Sequence, residues 1–281
     1  MIYKAKKAFF LFLIHTFLVS VAITCVFPLI WMANSSLKTD QEFIQDYGFK
    51  LPQKFLFENY LFVIREGRLG RYFFNSIIYT FFGVVGIVMI SSLAGFAFSR
   101  LSFKGRPLFY HLFLAAMMIP IPAGFVPLYI LLKGVGLLNT RAGYILCMIN
   151  VGLSLSVYLY KTFFDQLPRD LEDSARIDGC SKLGIWWHVM FPLAGPATAV
   201  VVVFNALNVW NEFVLALIVF SKRELMPLQV GLMDFASSSA GLTQYTVLMS
   251  GLTMAALPII IIYLLMQKYI VKGVTAGAVV G

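Results

Sequence analysis

Charge is what this sequence has least of: Asp, Glu, Lys and Arg make up 12% of its 281 residues, about half their share in a water-soluble domain. Hydrophobic residues account for 60%, and the mean hydropathy is +0.84. Those values exclude a stand-alone soluble enzyme, a disordered tail and a nucleic-acid-binding domain, despite a net charge of +9. Cysteine is also scarce. Cys25, Cys147 and Cys180 are far apart, match neither a disulfide framework nor a CxxC metal pair, and read as packing residues. The three histidines, His15, His111 and His188, are isolated from any Cys, Asp or Glu at ligand spacing. There is no GxxxxGK[ST] phosphate loop, HExxH helix or GxSxG elbow. The sequence therefore offers no catalytic residue, no metal site and no nucleotide cofactor site of its own, and enzyme activity is not expected.

What is abundant is apolar sequence. A membrane-spanning helix needs roughly 20 such residues, and six segments qualify: 8–33, 74–98, 108–132, 142–160, 197–220 and 244–266. Inside all six the only Asp, Glu, Lys or Arg is Glu212. The predicted fold is an all-α membrane protein with six transmembrane helices, read as one membrane domain over 1–281. The first segment exceeds a signal-peptide apolar core, and no small-residue cleavage site follows Trp31 and Met32, so a permanent helix is expected. An even number of spans puts both termini on one side. Placing them in the cytoplasm puts slightly more than half of the 22 Lys and Arg inside and leaves the mixed-charge loop 34–73 outside as a small cap.

Two apolar segments carry polar or rigid interruptions. In 197–220, Asn205, Asn208 and Glu212 fall on one narrow stripe of a helix, while Asn211 points elsewhere. The stripe fits a translocation path, because an ionisable group in lipid is costly unless it meets water or a partner. It fits equally well as interhelical hydrogen bonding. In 108–132, Pro120, Pro122 and Pro127 with Gly124 predict a local bend or break.

The loop 161–196 is the longest on the cytoplasmic side. Pro168 reads as a first-turn residue, residues 169–178 have helix-compatible content, and Gly179 fits a C-terminal stop. Ser181 is placed to cap a second helix carrying Ile185, Trp186, Val189 and Met190 and ending at Pro192, with its tryptophans at headgroup depth. By pattern alone this is a solvated connector.

The run Glu172-Asp173-Ser174-Ala175-Arg176-Ile177-Asp178-Gly179, followed ten residues on by Val189 and then Met190-Phe191-Pro192, resembles the EAA loop of ABC importer permeases. The match has Asp173 in place of the Glu, Ser174 for the first Ala, Val189 for the Ile and Phe191 for the Leu. Further stretches, among them Glu58-Asn59-Tyr60, Gly136-Leu137-Leu138-Asn139-Thr140 and Trp210-Asn211-Glu212-Phe213, extend the likeness to the second permease subunit of maltose-type carbohydrate importers. The resemblance implies that Glu172, Asp173, Ser174, Ala175, Asp178 and Gly179 form a coupling site for a cytoplasmic ATPase. It also implies a complex in the bacterial or archaeal cytoplasmic membrane. Its members would be a second homologous permease, two ATPase subunits that bind the ATP, and an extracytoplasmic sugar-binding protein. Translocation would proceed by alternating access. A secondary transporter or channel-type protein for a small polar solute is the alternative; it would be expected to show ionisable relays in several spans.

Overall fold

The structure is a computed structural model and describes residues 2–65, 69–119, 121–238 and 244–278. Among them every regular element is helical. In chain order these are α1 (Ile2–Ser36), α2 (Asp40–Asp46), α3 (Glu58–Arg65), α4 (Leu69–Arg100), α5 (Arg106–Ala116), α6 (Phe125–Gly134) and α7 (Arg141–Asp165). After the loop come α8 (Asp170–Ile177), α9 (Lys182–Ile185) and α10 (Phe191–Leu193), then α11 (Gly195–Asn211), α12 (Val214–Val219), α13 (Leu228–Ser238) and α14 (Tyr245–Ala278). Four helices are long and apolar enough to cross a bilayer: α1 from Phe9, α4, α7 and α14 to Gln267. A fifth is counted if Lys182–Leu193 and Gly195–Asn211, which meet at 79°, are taken as one bent segment. The chain is an all-α, multi-pass membrane protein.

The remaining apolar stretches are interrupted. The segment 108–132 is split between α5 and α6 by turns at Met117 to Ile119 and a 3-10 turn at Ile121–Gly124. Pro120 lies outside the described residues; Pro127 sits in the first turn of α6, where a missing N–H costs no helical hydrogen bond. The segment 197–220 is split between α11 and α12, with Glu212 and Phe213 out of the helix.

The chain falls into two compact units: residues 1–70 with 232–257, and 71–231 with 258–281. In the first, α1 is apolar all round, and its C-terminal end is held by polar contacts. Trp31 Nε1 donates to the Tyr47 carbonyl at 2.9 Å, and Asn34 Nδ2 donates to the carbonyls of Gly48 and Lys50 at 2.8 and 2.7 Å. Thr39 and Glu42 close a capping box at the start of α2. Lys38, fully buried, donates to both Asp46 carboxylate oxygens at 2.9 and 2.7 Å. Asp40 Oδ1 accepts from the Thr246 N–H and hydroxyl, tying α14 to this cap.

The second unit has an aromatic core. Tyr79, Tyr144 and Phe220 pack with ring centroids 4.8 to 5.8 Å apart, and the Tyr79 hydroxyl donates to the Leu225 carbonyl at 2.6 Å. Lower on α4 and α7, Phe96, Tyr160 and Phe164 are buried together, and the Tyr160 hydroxyl donates to Thr198 Oγ1 at 2.9 Å. Small residues let α4 and α7 approach: a Cβ on Gly95 would sit 2.7 Å from the Tyr160 Cβ and 3.0 Å from the Lys161 amide nitrogen.

Candidate functional site

The loop after α7 is shorter than its sequence suggests, because α7 continues five residues past 160 to Asp165. Pro168 lies just outside the helix it was expected to open: α8 begins at Asp170, with Arg169 as its N-cap. Asp170, Glu172 and Asp173 in the first turn and Arg176 in the last complement the helix dipole. Gly179 ends the helix at φ +81°. Its N–H donates to the Arg176 carbonyl, and the Cys180 N–H donates to the Ala175 carbonyl at 2.9 Å, which is the Schellman arrangement. A Cβ on Gly179 would meet nothing within 4 Å, so the demand for glycine here comes from the backbone angle and not from crowding.

The two faces of α8 differ. Glu172 and Ala175 turn into the chain's own interior, at 4% and 7% exposure. The small Ala175 side chain belongs to the core cluster that includes Ile185 and Met190. Leu171, Asp173, Ser174, Ile177, Asp178 and Gly179 are exposed, Ile177 at 87%. Asp173 pairs with Arg176 at 3.1 Å. The six candidate coupling residues therefore divide between an inner pair and an outer four.

Beyond Gly179 the Ser181 hydroxyl accepts from the Gly184 N–H at 3.1 Å and caps α9. Helical backbone then runs through a π-turn at Trp186–Met190 into α10. The two tryptophans are not placed alike: Trp186 is buried at 6%, while Trp187 is 46% exposed and stacks on Phe191 at 5.6 Å. Trp186 is thus a core side chain and not a headgroup anchor, since the ridge carrying Ile185 and Met190 rotates it inward.

The partner of Glu172 lies seventy-two positions upstream. Arg100 Nε meets Glu172 Oε1 at 2.9 Å, with both side chains almost wholly buried, at 5% and 6% exposure. Arg100 Nη2 also donates to the carbonyls of Phe164 and Leu167, the latter at 2.6 Å. Sequence inspection gives no signal for this contact, because Arg100 reads only as the charge that closes an apolar run.

The second candidate region surrounds the break between α11 and α12. A cavity of about 710 Å³ is bounded by α5, α6, α7 and α11, with Asn150, Ser154, Asn205, Asn208 and Glu212 as its polar lining and Phe125 and Phe204 among the apolar side chains. Asn205 is 1% exposed, and its amide donates to Ser156 Oγ at 2.9 Å and the Val201 carbonyl at 2.8 Å. Its amide nitrogen holds α7 to α11. Asn208 is exposed.

Glu212 reaches the cavity without being on the helix. The continuous stripe read from the sequence requires helix through 212, whereas α11 stops at Asn211 and Glu212 is extended, with ψ 125°. Its Oε1 accepts from the Leu215 N–H at 2.8 Å and caps α12. A carboxylate in an apolar stretch gains a donor by freeing a backbone N–H, and the break supplies one. Asn211 is turned elsewhere, with Nδ2 donating to the Leu207 carbonyl. Asn150 and Ser154, four residues apart on α7, are cavity residues that the sequence analysis did not single out; their i, i+4 spacing in an apolar span was the available signal. The three histidines each bond to the carbonyl four residues back in their own helical segments.

The comparisons with known proteins agree on one family. The model for "Binding-protein-dependent transport system inner membrane component" matches residues 86–276. The arabinooligosaccharides transport system permease protein of Bacillus subtilis (strain 168) is 35% identical over 269 residues, covering 94% of each chain. The diacetylchitobiose uptake system permease protein of Streptomyces coelicolor is 30% identical over 263 residues, covering 94% of this chain and 87% of its own. Among solved structures, a bacterial ABC transporter involved in the import of the acidic polysaccharide alginate superposes with a TM-score of 0.83 at 26% identity, over 94% of this chain and 98% of its own. Buried helix contacts, a capped loop helix and a polar cavity thus occur in a chain that belongs to the binding-protein-dependent transport system inner membrane components.

Proposed function

We propose that this chain is a permease subunit through which a sugar or oligosaccharide enters the cytoplasm, driven by ATP that partner subunits bind and hydrolyse. The substrates for which its relatives are named, arabino-oligosaccharides and diacetylchitobiose, support the substrate class. Six spans complete the membrane domain over 1–281 when α5 with α6 and α11 with α12 each count as one interrupted crossing. Both termini then lie in the cytoplasm, α8 lies on the same side, and the loop holding α2 and α3 lies outside. The complex contains a second homologous permease, two ATPase subunits and an extracytoplasmic sugar-binding protein, in a bacterial or archaeal cytoplasmic membrane. The chain itself performs no covalent chemistry and carries no cofactor.

The observation that carries the coupling role is the outer face of α8. Ile177, an apolar residue at 87% exposure beside Asp173, Ser174 and Asp178 on a charge-rich loop, has most of its apolar surface free for a partner. ATP-driven closure of the two ATPase subunits moves this face, and the cavity walls follow, exchanging one open side for the other. Asn208 and Glu212 line the path, with hydrogen-bonding groups suited to hydroxyls.

Ile177→Asp tests this reading. In the co-expressed complex the chain is expected to insert normally, while co-purification of the ATPase subunits falls by at least about tenfold, as for loss of a central apolar anchor. Retention of the ATPase at its unaltered level and full binding-protein-stimulated ATP hydrolysis would defeat the docking role of α8.

A further inference from the structure

We propose that Arg100 is a positioning residue for transport: it fastens α8 to the ends of α4 and α7, so that the three move as one body when the ATPase pushes. The proposal rests on the docking role of α8 given above.

The first consideration is scarcity. Only 12% of the sequence is charged, yet two of these residues are almost fully buried against each other, Arg100 and Glu172, at 2.9 Å. Burying an ion pair is a poor source of stability, because desolvation offsets most of the attraction; its best-attested use is to fix the register of one element on another. Arg is the side chain suited to that purpose, since its planar guanidinium offers several donors in a rigid fork.

The second consideration is which groups the fork reaches. Arg100 is the last residue of α4. Its Nη2 donates to the carbonyls of Phe164, in the last turn of α7, and of Leu167, in the connection just beyond it, where carbonyls lack the usual acceptance from a later helical N–H. Its Nε faces the carboxylate of α8. One side chain therefore joins three elements. The α4 and α7 ends are linked again next door, where the Ser99 hydroxyl donates to Asp165 Oδ1 at 2.6 Å; Lys161, on α7 itself, holds the other oxygen of that carboxylate at 2.6 Å. Arg100 extends that joint to α8.

The third consideration is what α8 would be without it. Eight residues form about two turns, too short to hold a helix by propensity alone. The connection behind it, 166–169, is not helical, and the one ahead turns at Gly179. Ala175 gives α8 one apolar contact with the core, but a single small side chain is a pivot. A lateral push on Asp173, Ser174 and Ile177 turns such a helix in place unless a second attachment resists the rotation. The Arg100 and Glu172 pair is that attachment, and α4 and α7 lead from it to the cavity, whose wall includes Asn150 and Ser154 of α7.

The test uses the assembled importer in lipid nanodiscs, with Cys25, Cys147 and Cys180 replaced by serine and Asn208→Cys as a reporter in the cavity. The rate of reaction with a charged maleimide is measured before and after the ATPases are trapped with ATP and vanadate. In parallel, Ser174→Cys is cross-linked to the ATPase to register docking. With Arg100 present, trapping is expected to change the labelling rate. With Arg100→Gln, docking and trapping are expected to persist while that change shrinks by about tenfold, the size of a typical coupling between sites. The double variant R100M/E172M, which leaves no lone buried charge, is expected to behave like Arg100→Gln. A full labelling response in either variant overturns the proposal. So does loss of cross-linking together with the response in both, which would leave the pair a purely structural role, and so does a labelling rate in the unaltered protein that ignores trapping. If Ser174→Cys fails to cross-link even with Arg100 present, the docking role itself is wrong.

Discussion

Helices α1 and α4 are both long enough and apolar enough to cross a bilayer, yet they relate to the rest of the chain in opposite ways. None of the most apolar stretch of α1 is buried within the protein, against 44% of the corresponding stretch of α4. Apolarity reports the solvent that both helices require, and it says nothing about which of them packs against protein. Residue size does. Between Phe9 and Ile30, α1 displays Phe, Leu, Ile and Val on every side and contains no glycine, whereas α4 carries Gly83, Gly86 and Gly95 with Ser91, Ser92 and Ser99. In a membrane, lipid tails are as apolar as leucine, so helices associate where small residues permit close backbone contact and polar groups can pair. The large residues of α1 are suited to lipid or to another subunit; its attachments within its own unit are at its C-terminal end, through Trp31, Asn34 and Ser36.

The largest effect expected from this contrast is at Gly95. A side chain there collides with the Tyr160 Cβ and the Lys161 backbone nitrogen, neither of which is the end of a flexible chain. Gly95→Leu should destabilise the protein by about 3 kcal/mol, at the upper end for overpacking, and thermal unfolding of the purified complex should show it. Gly195→Ala is the control, since a Cβ there meets nothing within 4 Å and an unfolding temperature close to that of the unaltered protein is expected. Equal effects at the two positions would show that the small residues of α4 are not there for close approach.

The same contrast explains what was and was not legible in the sequence. Helical segments, the break announced by Pro120, Pro122 and Pro127, and the helix stop at Gly179 follow from local chemistry: ring closure, a missing donor, a positive φ. The break at Glu212 has no proline or glycine beside it, and only the carboxylate's need for a donor marks it; a helical period drawn through that residue places it on the cavity side for the wrong reason. The inward turn of Glu172 was not legible either. Neighbouring Asp173 has the same charge and lies on the same short helix, and what separates them is Arg100 at a distant point in the chain. The split between Trp186 and Trp187 has the same cause, since only tertiary packing decides which of two adjacent indoles is covered.

A smaller effect concerns the attachment of α1 at its end. The hydrogen bond from Lys38 holds the Asp46 carboxyl below its usual value of 3.8, against the opposing effect of partial burial and with help from the backbone N–H of Gly48. A carboxyl with a lowered value in the folded state stabilises it fully above the unfolded value and loses that contribution as pH falls through the folded one. Acidification from about pH 6 to about pH 3 should therefore loosen the cap. Trp31 reports on it, because its indole donates to the carbonyl of Tyr47, next to Asp46. In a variant retaining only that tryptophan, its fluorescence should shift toward that of a solvent-exposed indole over this range. Asp46→Asn should already give the shifted spectrum at neutral pH and show no further transition.

The smallest effect is expected in the middle of α1. Phe17 is 68% exposed, and its ring faces outward from the protein in the folded state. In the unfolded, membrane-inserted state it would also face lipid, so truncating it removes nothing that folding gains. Phe17→Ala should change the stability of the chain by no more than about 0.5 kcal/mol, several-fold less than the change at Gly95, although it deletes far more apolar surface. A water-based account of burial, at about 25 cal/mol for each Å² of apolar surface, would rank the two substitutions the other way. Thermal unfolding of both variants in the same lipid separates the two accounts: a loss at Phe17 as large as that at Gly95 would mean that α1 is packed against protein along its length, and the contrast with α4 would fail.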